Sequence, residues 1–288
     1  HVRSRRQRQM CIRDRTTPSL DSKINPAVVY AAKKCGVKKI YKTGGAHSIA
    51  ALAYGTKSFE KVDKIVGPGN LFVACAKKEV FGDVGIDMVA GPSEVSVVAD
   101  KSADPDFIAA DLIAQAEHDV QAQSILITNS KDIIRSVNLS LKKQLARLPK
   151  KKIATQSLRN FGLAILTNSK KKITEIINTI APEHLELCTS FDKEIIKGVK
   201  NAGSIFIGKF SPEAIGDYIA GPNHVLPTSG SARFSSGLSV NDFLKRHSLI
   251  KITKTGIERL GSSVINLAMH EKLEGHANSV KIRLKKEN

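Results

Sequence analysis

The sequence lacks any apolar run approaching ~18 residues, which excludes an encoded membrane-spanning helix. It opens without the apolar stretch of a secretory signal, which argues against export. It has only four cysteines, Cys11, Cys35, Cys75 and Cys188, widely spaced and without a CxxC pair. That usage suits free thiols in a reducing cytoplasm better than a disulfide framework. Neither GxGxxG nor GxxxxGK[ST] occurs, so both standard nucleotide fingerprints are missing. Low-complexity tracts and internal repeats are also absent. Acidic residues are few, with 27 Asp and Glu against 45 Lys and Arg, for a formal net charge of +18 over 288 residues.

What is present is the composition of a globular chain. Hydrophobic residues make up 41% and charged residues 25%, which excludes a wholly disordered or fibrous protein and permits one to three domains with real cores. The charge divides in two. Residues 1–15 hold six of the thirteen arginines and one acid, a local +5. The remaining +13 comes mostly from lysine in the body. The head has no aromatic interleaving and no apolar periodicity, so it reads as an unstructured, non-native segment rather than a nucleic-acid arm. A lysine-rich body reads as a solvated surface, and neither nucleic acid nor membrane is an expected partner.

From about residue 17, helical and strand patterns alternate at short intervals. Asn25-Pro26 opens a helix that Gly36 closes, and VKKIY (37–41) follows as a strand. AHSIAALAYG and LFVACAKKEV read as helices, the second capped by Asn70. GPSEVSVVAD leads into a strand, followed by a long helix over 104–118. SILIT (124–128), a lysine-rich helix (131–147), LAILT (163–167) and a helix over 171–180 continue the rhythm. The strands are short, β-branched and apolar throughout, as strands covered on both faces should be. The fold class is therefore α/β, with open, mainly parallel sheets and helices on both faces. After Gly203 a Gly-, Pro- and Ser-rich stretch breaks the rhythm, and the tail from about 254 reads helical with a last short strand at SVKIRL (279–284).

Three glycine turns, GGAH (44–47), GPGN (67–70) and GPSE (91–94), border strands. Placed together on one sheet, they point to a ligand crevice at its C-terminal edge. In AQAEHD, Gln115 and His118 stand three apart on one helical face and could turn to one ion. Pro182 stops a helix before Glu183-His184, an acid and an imidazole at a strand start, where acid/base work and a capping role are both open. Asp217 and His224 lie in the Gly/Pro-rich loop, and Glu271 and His276 near the C-terminus. A mixed His, Asp and Gln set could hold zinc, or equally Mn²⁺ or Co²⁺. Spacing alone leaves an α/β enzyme with zinc dependence open.

GGAHSIAALAYGT, VGPGN, IDMVAGPSEVSVVAD, DLIAQAEHD, APEHLEL, GDYIAGPNHVLPT and HEKLEGHANSV occur in that order. Together they resemble the histidinol dehydrogenase family, over a span from about residue 17 to the C-terminus. The resemblance implies a cytoplasmic, homodimeric oxidoreductase of histidine biosynthesis with one zinc per subunit, converting L-histidinol through L-histidinal to L-histidine with two NAD. It implies Glu183 and His184 as the catalytic pair and Gln115, His118, Asp217 and His276 as metal ligands. Ser93, His224 and Glu271 join Gln115, His118, His184, Asp217 and His276 in contacting substrate, while Asn70 and the GGAH turn contact NAD. His47 stands where the family usually has Gln, which implies altered NAD affinity.

The resemblance further implies two incomplete Rossmann-like domains. Residues 16–90 would bind NAD, residues 91–240 would carry the catalytic residues, and a small helical C-terminal domain, 241–288, would complete the site of the partner. By the same comparison roughly the first third of the family's length is missing, so a weakly active or inactive metal-binding fragment is the alternative expectation.

Overall fold

The computed structural model describes residues 14–18, 23–149 and 151–285. It divides after Leu244 into two compact units. The first holds three parallel sheets. Two are small: β1 (Asp14–Thr16) pairs with β2 (Lys39–Tyr41), and β3 (Lys64–Ile65) pairs with β4 (Gly85–Ile86). Asp14 and Arg15 therefore belong to a strand, opposite Lys39 and Ile40, and not to the unstructured head the sequence suggested. The rest of that head, residues 1–13, lies outside the described residues. Helices α1 (Pro26–Lys34), α2 (Gly45–Tyr54) and α3 (Leu71–Glu79) flank these strands. Ile49, Leu52, Ala53, Ile65, Val80 and Val84 form their core. Asn25 caps α1 by accepting from the Ala27 N–H, and Asn70 caps α3 by accepting from the Val73 N–H.

The third sheet has five parallel strands in the order β7 (Gly162–Leu166), β6 (Gln123–Thr128), β5 (Glu94–Ala99), β8 (His184–Cys188), β9 (Ser204–Ile207). Between them run α4 (Pro105–Ala116), α5 (Lys131–Leu145), α6 (Lys151–Phe161), α7 (Lys170–Ile180) and α8 (Asp192–Ile196). The alternation of side chains sends Val95, Val97 and Ala99 of β5 to one face, against Ile108, Leu112 and Val137 of α4 and α5. Val98 goes to the other face, with Ile173 and Ile177 of α7. Both faces of the sheet are covered, which is why its central strands are apolar throughout. The α6 helix, unmarked by the sequence reading, is held by Ser157, whose hydroxyl donates to the Ala122 carbonyl at 2.8 Å.

The chain winds outward through β5, β6 and β7, then returns to place β8 and β9 on the far side of β5. The topological switch point thus lies between β5 and β8, where a ligand crevice is expected beyond the C-terminal ends. Here that edge is filled. Asp100, just past β5, accepts from the Thr189 hydroxyl (2.8 Å) and the Ser190 N–H (2.8 Å) past β8, and from the Ser102 N–H (2.8 Å). Burial pushes its carboxyl up, but the bonds from Ser102 and Ser190 outweigh that and hold it well below the carboxylate range.

This depressed carboxyl yields a pH prediction. Its stabilisation is present above the ordinary Asp value of ~3.9 and is lost as pH falls below it. Asp100→Ala is expected to cost about 3 kcal/mol at pH 7. Urea titrations should show the gap to the parent shrinking at pH 3.

The three glycine turns do not share a sheet. Gly44-Gly45 follows β2, Gly67 to Asn70 follows β3, and Gly91 to Glu94 leads into the N-terminal end of β5. Their expected convergence on one C-terminal edge is therefore corrected, because each belongs to a separate strand set.

After β9 come α9 (Glu213–Tyr218) and an extended segment with two short 3-10 turns, at Ser231–Arg233 and Val240–Phe243. The second unit contains α10 (Lys254–His270) and α11 (Glu274–Lys285). SVKIRL lies within α11 and not in a strand. Its Val280 and Leu284, four apart, meet Gly261 of α10, so helical spacing gives the segment a packing partner. Among the described residues no helix is long and apolar enough to cross a membrane. Cys35, Cys75 and Cys188 are free, as expected; Cys11 lies outside the described residues. Burial pushes the Cys188 thiol up to about 12, so it is chemically quiet.

Candidate active site

A group of buried polar side chains gathers at the N-terminal edge of the five-stranded sheet, opposite the filled switch point. Helix α7 ends where Ala181 takes a left-handed conformation (φ 50°), and Pro182 follows. The chain then enters β8 with Glu183 and His184 at its threshold, both under 10% exposed. Strand β5 begins beside it at Glu94, with Val95 in register with His184.

His184 is held from three sides. Its Nδ1 lies 3.0 Å from the Glu94 carbonyl oxygen and 3.1 Å from Oε1 of Gln115. Two oxygen acceptors assign the hydrogen to Nδ1 and leave a lone pair on Nε2. Nε2 lies 2.8 Å from Nε2 of His224, so His224 donates there, its ring stacked on His184 with an interplanar angle of 14°. Oδ1 of Asp217 stands 3.3 Å from the same His224 nitrogen. Burial, reinforced by His224, lowers the His184 pKa to about 3, so the ring is neutral at pH 7.

Glu183 reaches the other way. Its Oε2 accepts the Glu94 N–H at 3.0 Å, and burial pushes its carboxyl up to about 8 against that hydrogen bond. Ser93, in the GPSE turn, also hydrogen-bonds the Glu183 side chain. The turn is fixed from above, because the Gly91 N–H donates to the Thr228 hydroxyl at 2.6 Å and Glu94 Oε1 accepts the Ser229 N–H at 3.1 Å.

The structure thus brings Ser93, Gln115, Glu183, His184, Asp217 and His224 together. Gln115 and His118 do not share a helical face as expected, because α4 closes at Ala116. Glu117 and His118 turn back onto the Ile113 and Gln115 carbonyls. Gln115 is buried while His118 is exposed, yet the charge of His118 is felt by both His184 and His224. Glu271 and His276 belong to the second unit, Glu271 at the C-terminal cap of α10 and His276 in the first turn of α11, both exposed. His47 and Asn70 are exposed at the starts of α2 and α3.

Among the described residues no three His, Cys, Asp or Glu side chains are gathered as a metal cluster. The donors nevertheless fit a borderline divalent cation in kind, with Gln115 and His118 at the end of α4 and Asp217 on α9. Gln115 is 1% exposed and its amide nitrogen has no hydrogen-bond partner, so this buried amide is not settled in its own network. Gly69 leads into the N-terminal turn of α3, where a Cβ would lie 2.5 Å from the Val73 side chain, so glycine lets the turn pack against the helix.

Three acids escaped the sequence reading. Glu213, 2% exposed at the start of α9, places Oε2 3.3 Å from His184 Nδ1. Glu186, 1% exposed, accepts the Glu213 N–H at 2.8 Å and hydrogen-bonds Asp111. Burial pushes Glu213 and Glu186 to about 9, each raised further by an acidic neighbour. A signal for both existed. Glu213 is four residues before Asp217 on one helical face, and Glu186 is two after His184 on one strand face.

Fold and site together define a doubly wound α/β protein with a buried acid–imidazole centre at the N-terminal edge of its main sheet. The sequence profile of histidinol dehydrogenase matches residues 12–284, beginning within the head that the motifs left out. The histidinol dehydrogenase of Pelagibacter ubique (strain HTCC1062) is 57% identical over 270 residues, covering 93% of this chain and 63% of the relative. That of Clostridium acetobutylicum is 54% identical, covering 94% and 63%. The crystal structure of histidinol dehydrogenase from Elizabethkingia anophelis superposes with a TM-score of 0.87 at 43% identity, over 94% of this chain and 63% of that one. The chain belongs to the histidinol dehydrogenase family and spans about 63% of the length of these relatives.

Proposed function

We propose that the chain carries the catalytic centre of a histidinol dehydrogenase, oxidising L-histidinol through L-histidinal to L-histidine while two NAD are reduced. The observation that carries this reading is the neutral, buried His184, its Nδ1–H held by oxygen acceptors, adjacent to the buried carboxyl of Glu183. In the first step the Nε2 lone pair of His184 takes the alcohol proton as hydride leaves the substrate carbon for NAD. His224, now against that nitrogen, must yield its place to the substrate hydroxyl. In the second step Glu183 takes a proton from water as the water attacks the aldehyde, whose oxygen receives the proton that His184 took in the first step. The resulting hydrate gives its hydride to a second NAD and an O–H proton back to His184, and becomes the acid.

Gln115, His118 and Asp217, with His276 from a second copy of the chain, would hold zinc, whose chemistry when bound is to orient the substrate nitrogens. Ser93, His224 and Glu271 complete the substrate contacts, and Asn70 with the turn carrying His47 contacts NAD. In this reading residues 16–90 serve the cofactor, 91–240 the chemistry and 241–288 the partner's site in a cytoplasmic homodimer.

The test is incubation with histidinol and NAD while nicotinamide absorbance is followed. Two NADH per histidinol, lost on chelation and restored by zinc, are expected. NADH formation indifferent to histidinol would overturn the reading, and zinc binding without turnover would favour a non-catalytic fragment.

A further inference from the structure

We infer that the buried Lys77–Asp87 ion pair is a positioning device for the Gly67–Asn70 turn, setting the backbone shape that receives the dinucleotide. The inference rests on the reading that this turn contacts NAD. Lys77 projects inward from α3 and Asp87 follows β4, with side chains 3% and 1% exposed. The Lys77 ammonium pairs with the Asp87 carboxylate and donates to the Gly67 carbonyl at 3.0 Å. Asp87 accepts the Gly67 N–H at 2.7 Å and the Met88 N–H at 2.6 Å. Both polar groups of Gly67 are thus gripped, one by each member of the pair.

Gly67 needs that grip. Its φ of +116° lies in a region that favours glycine, and glycine there has the most conformational freedom to lose. Three residues on, Asn70 starts α3 and Gly69 packs against Val73, so the shape at Gly67 sets the aim of the helix N-terminus. A buried ion pair is generally no more stabilising than apolar residues of the same volume, so stability alone does not account for it. Apolar residues, however, cannot bind a peptide N–H and C=O. The pair is also neutral overall, so it contributes geometry and no net attraction for phosphate.

The double variant Lys77→Met/Asp87→Leu removes both charges together and leaves no lone buried ion. Amide hydrogen exchange and calorimetric titration with NAD are then compared with the parent. Exchange of residues 67–70 is expected to rise about 10-fold while the β5 amides stay protected, with NAD affinity falling about 10-fold at unchanged salt dependence. Unchanged exchange in the turn would overturn the inference, as would faster exchange with unchanged NAD affinity. Asp87→Asn keeps an acceptor for the Gly67 N–H but loses the ion pair. It should loosen the turn to an intermediate degree and serves if the double variant does not fold. If the parent chain binds no NAD, the cofactor reading of the turn fails, while the exchange comparison still decides the grip.

Discussion

A His184→Asn variant is expected to lose about 10²–10⁴-fold in the rate of the first NADH, the range a positioned general base supplies. Asparagine can still donate to the Glu94 carbonyl and occupies similar space, but it cannot accept the alcohol proton at pH 7. The decisive measurement is a single-turnover trace with histidinol and NAD, alongside a thermal melt to show that the variant is folded. A first-step rate within a few-fold of the parent would remove His184 from the role of base.

The same variant has a consequence apart from turnover. The buried ring is neutral and its pKa is lowered to about 3, whereas the unfolded chain protonates near the ordinary His value of ~6.5. The unfolded state therefore binds the extra proton first, and His184 costs stability as pH falls from 6.5 toward 3. Any stability deficit of His184→Asn at pH 7 should narrow at pH 5.

Much of this arrangement was legible in local patterns. Period placed α1, α3, α4, α5 and α7 nearly as observed, with Asn25 and Asn70 marking the starts of α1 and α3; in the structure Asp104, Ser130 and Ser169 likewise accept from the first turns of α4, α5 and α7. Pro182 correctly marked the change from helix to strand that sets Glu183 and His184 at the head of β8. Local patterns do not encode the order of strands in a sheet. That order sets β5 beside β8, so that the strand starts at Glu94 and His184 meet in one site. The β-branched Val280 and Ile282 suggested a strand in a segment that instead packs as a helix against Gly261 of α10. Glu213 and Glu186 share a face with Asp217 and His184, but that spacing does not show their burial, which follows from segments 27 residues apart meeting across β8 and α9.

Glu183→Gln is expected to separate the two oxidations. Glutamine keeps the volume and can still accept the Glu94 N–H, which Glu183 now does at 3.0 Å, so the pocket should hold its shape. What it cannot do is take a proton from water. The first NADH should appear at a rate within a few-fold of the parent, while the second falls about 10²-fold or more and histidinal accumulates. An aldehyde-trapping reagent added during the first turnover should capture that intermediate from the variant and little from the parent. Equal loss of both steps would contradict the assignment.

The parent chain supplies a second check. Burial pushes the Glu183 carboxyl up to about 8, and the base form is the ionised one. The oxidation of histidinal should therefore rise with pH toward about 8, a limb that the glutamine variant lacks. A divalent cation near Glu183 favours its ionised form, so zinc loading is expected to move that limb to lower pH. Measuring histidinal oxidation at several zinc occupancies would show the displacement, and a limb that stays in place would mean that Glu183 and the cation do not share one site.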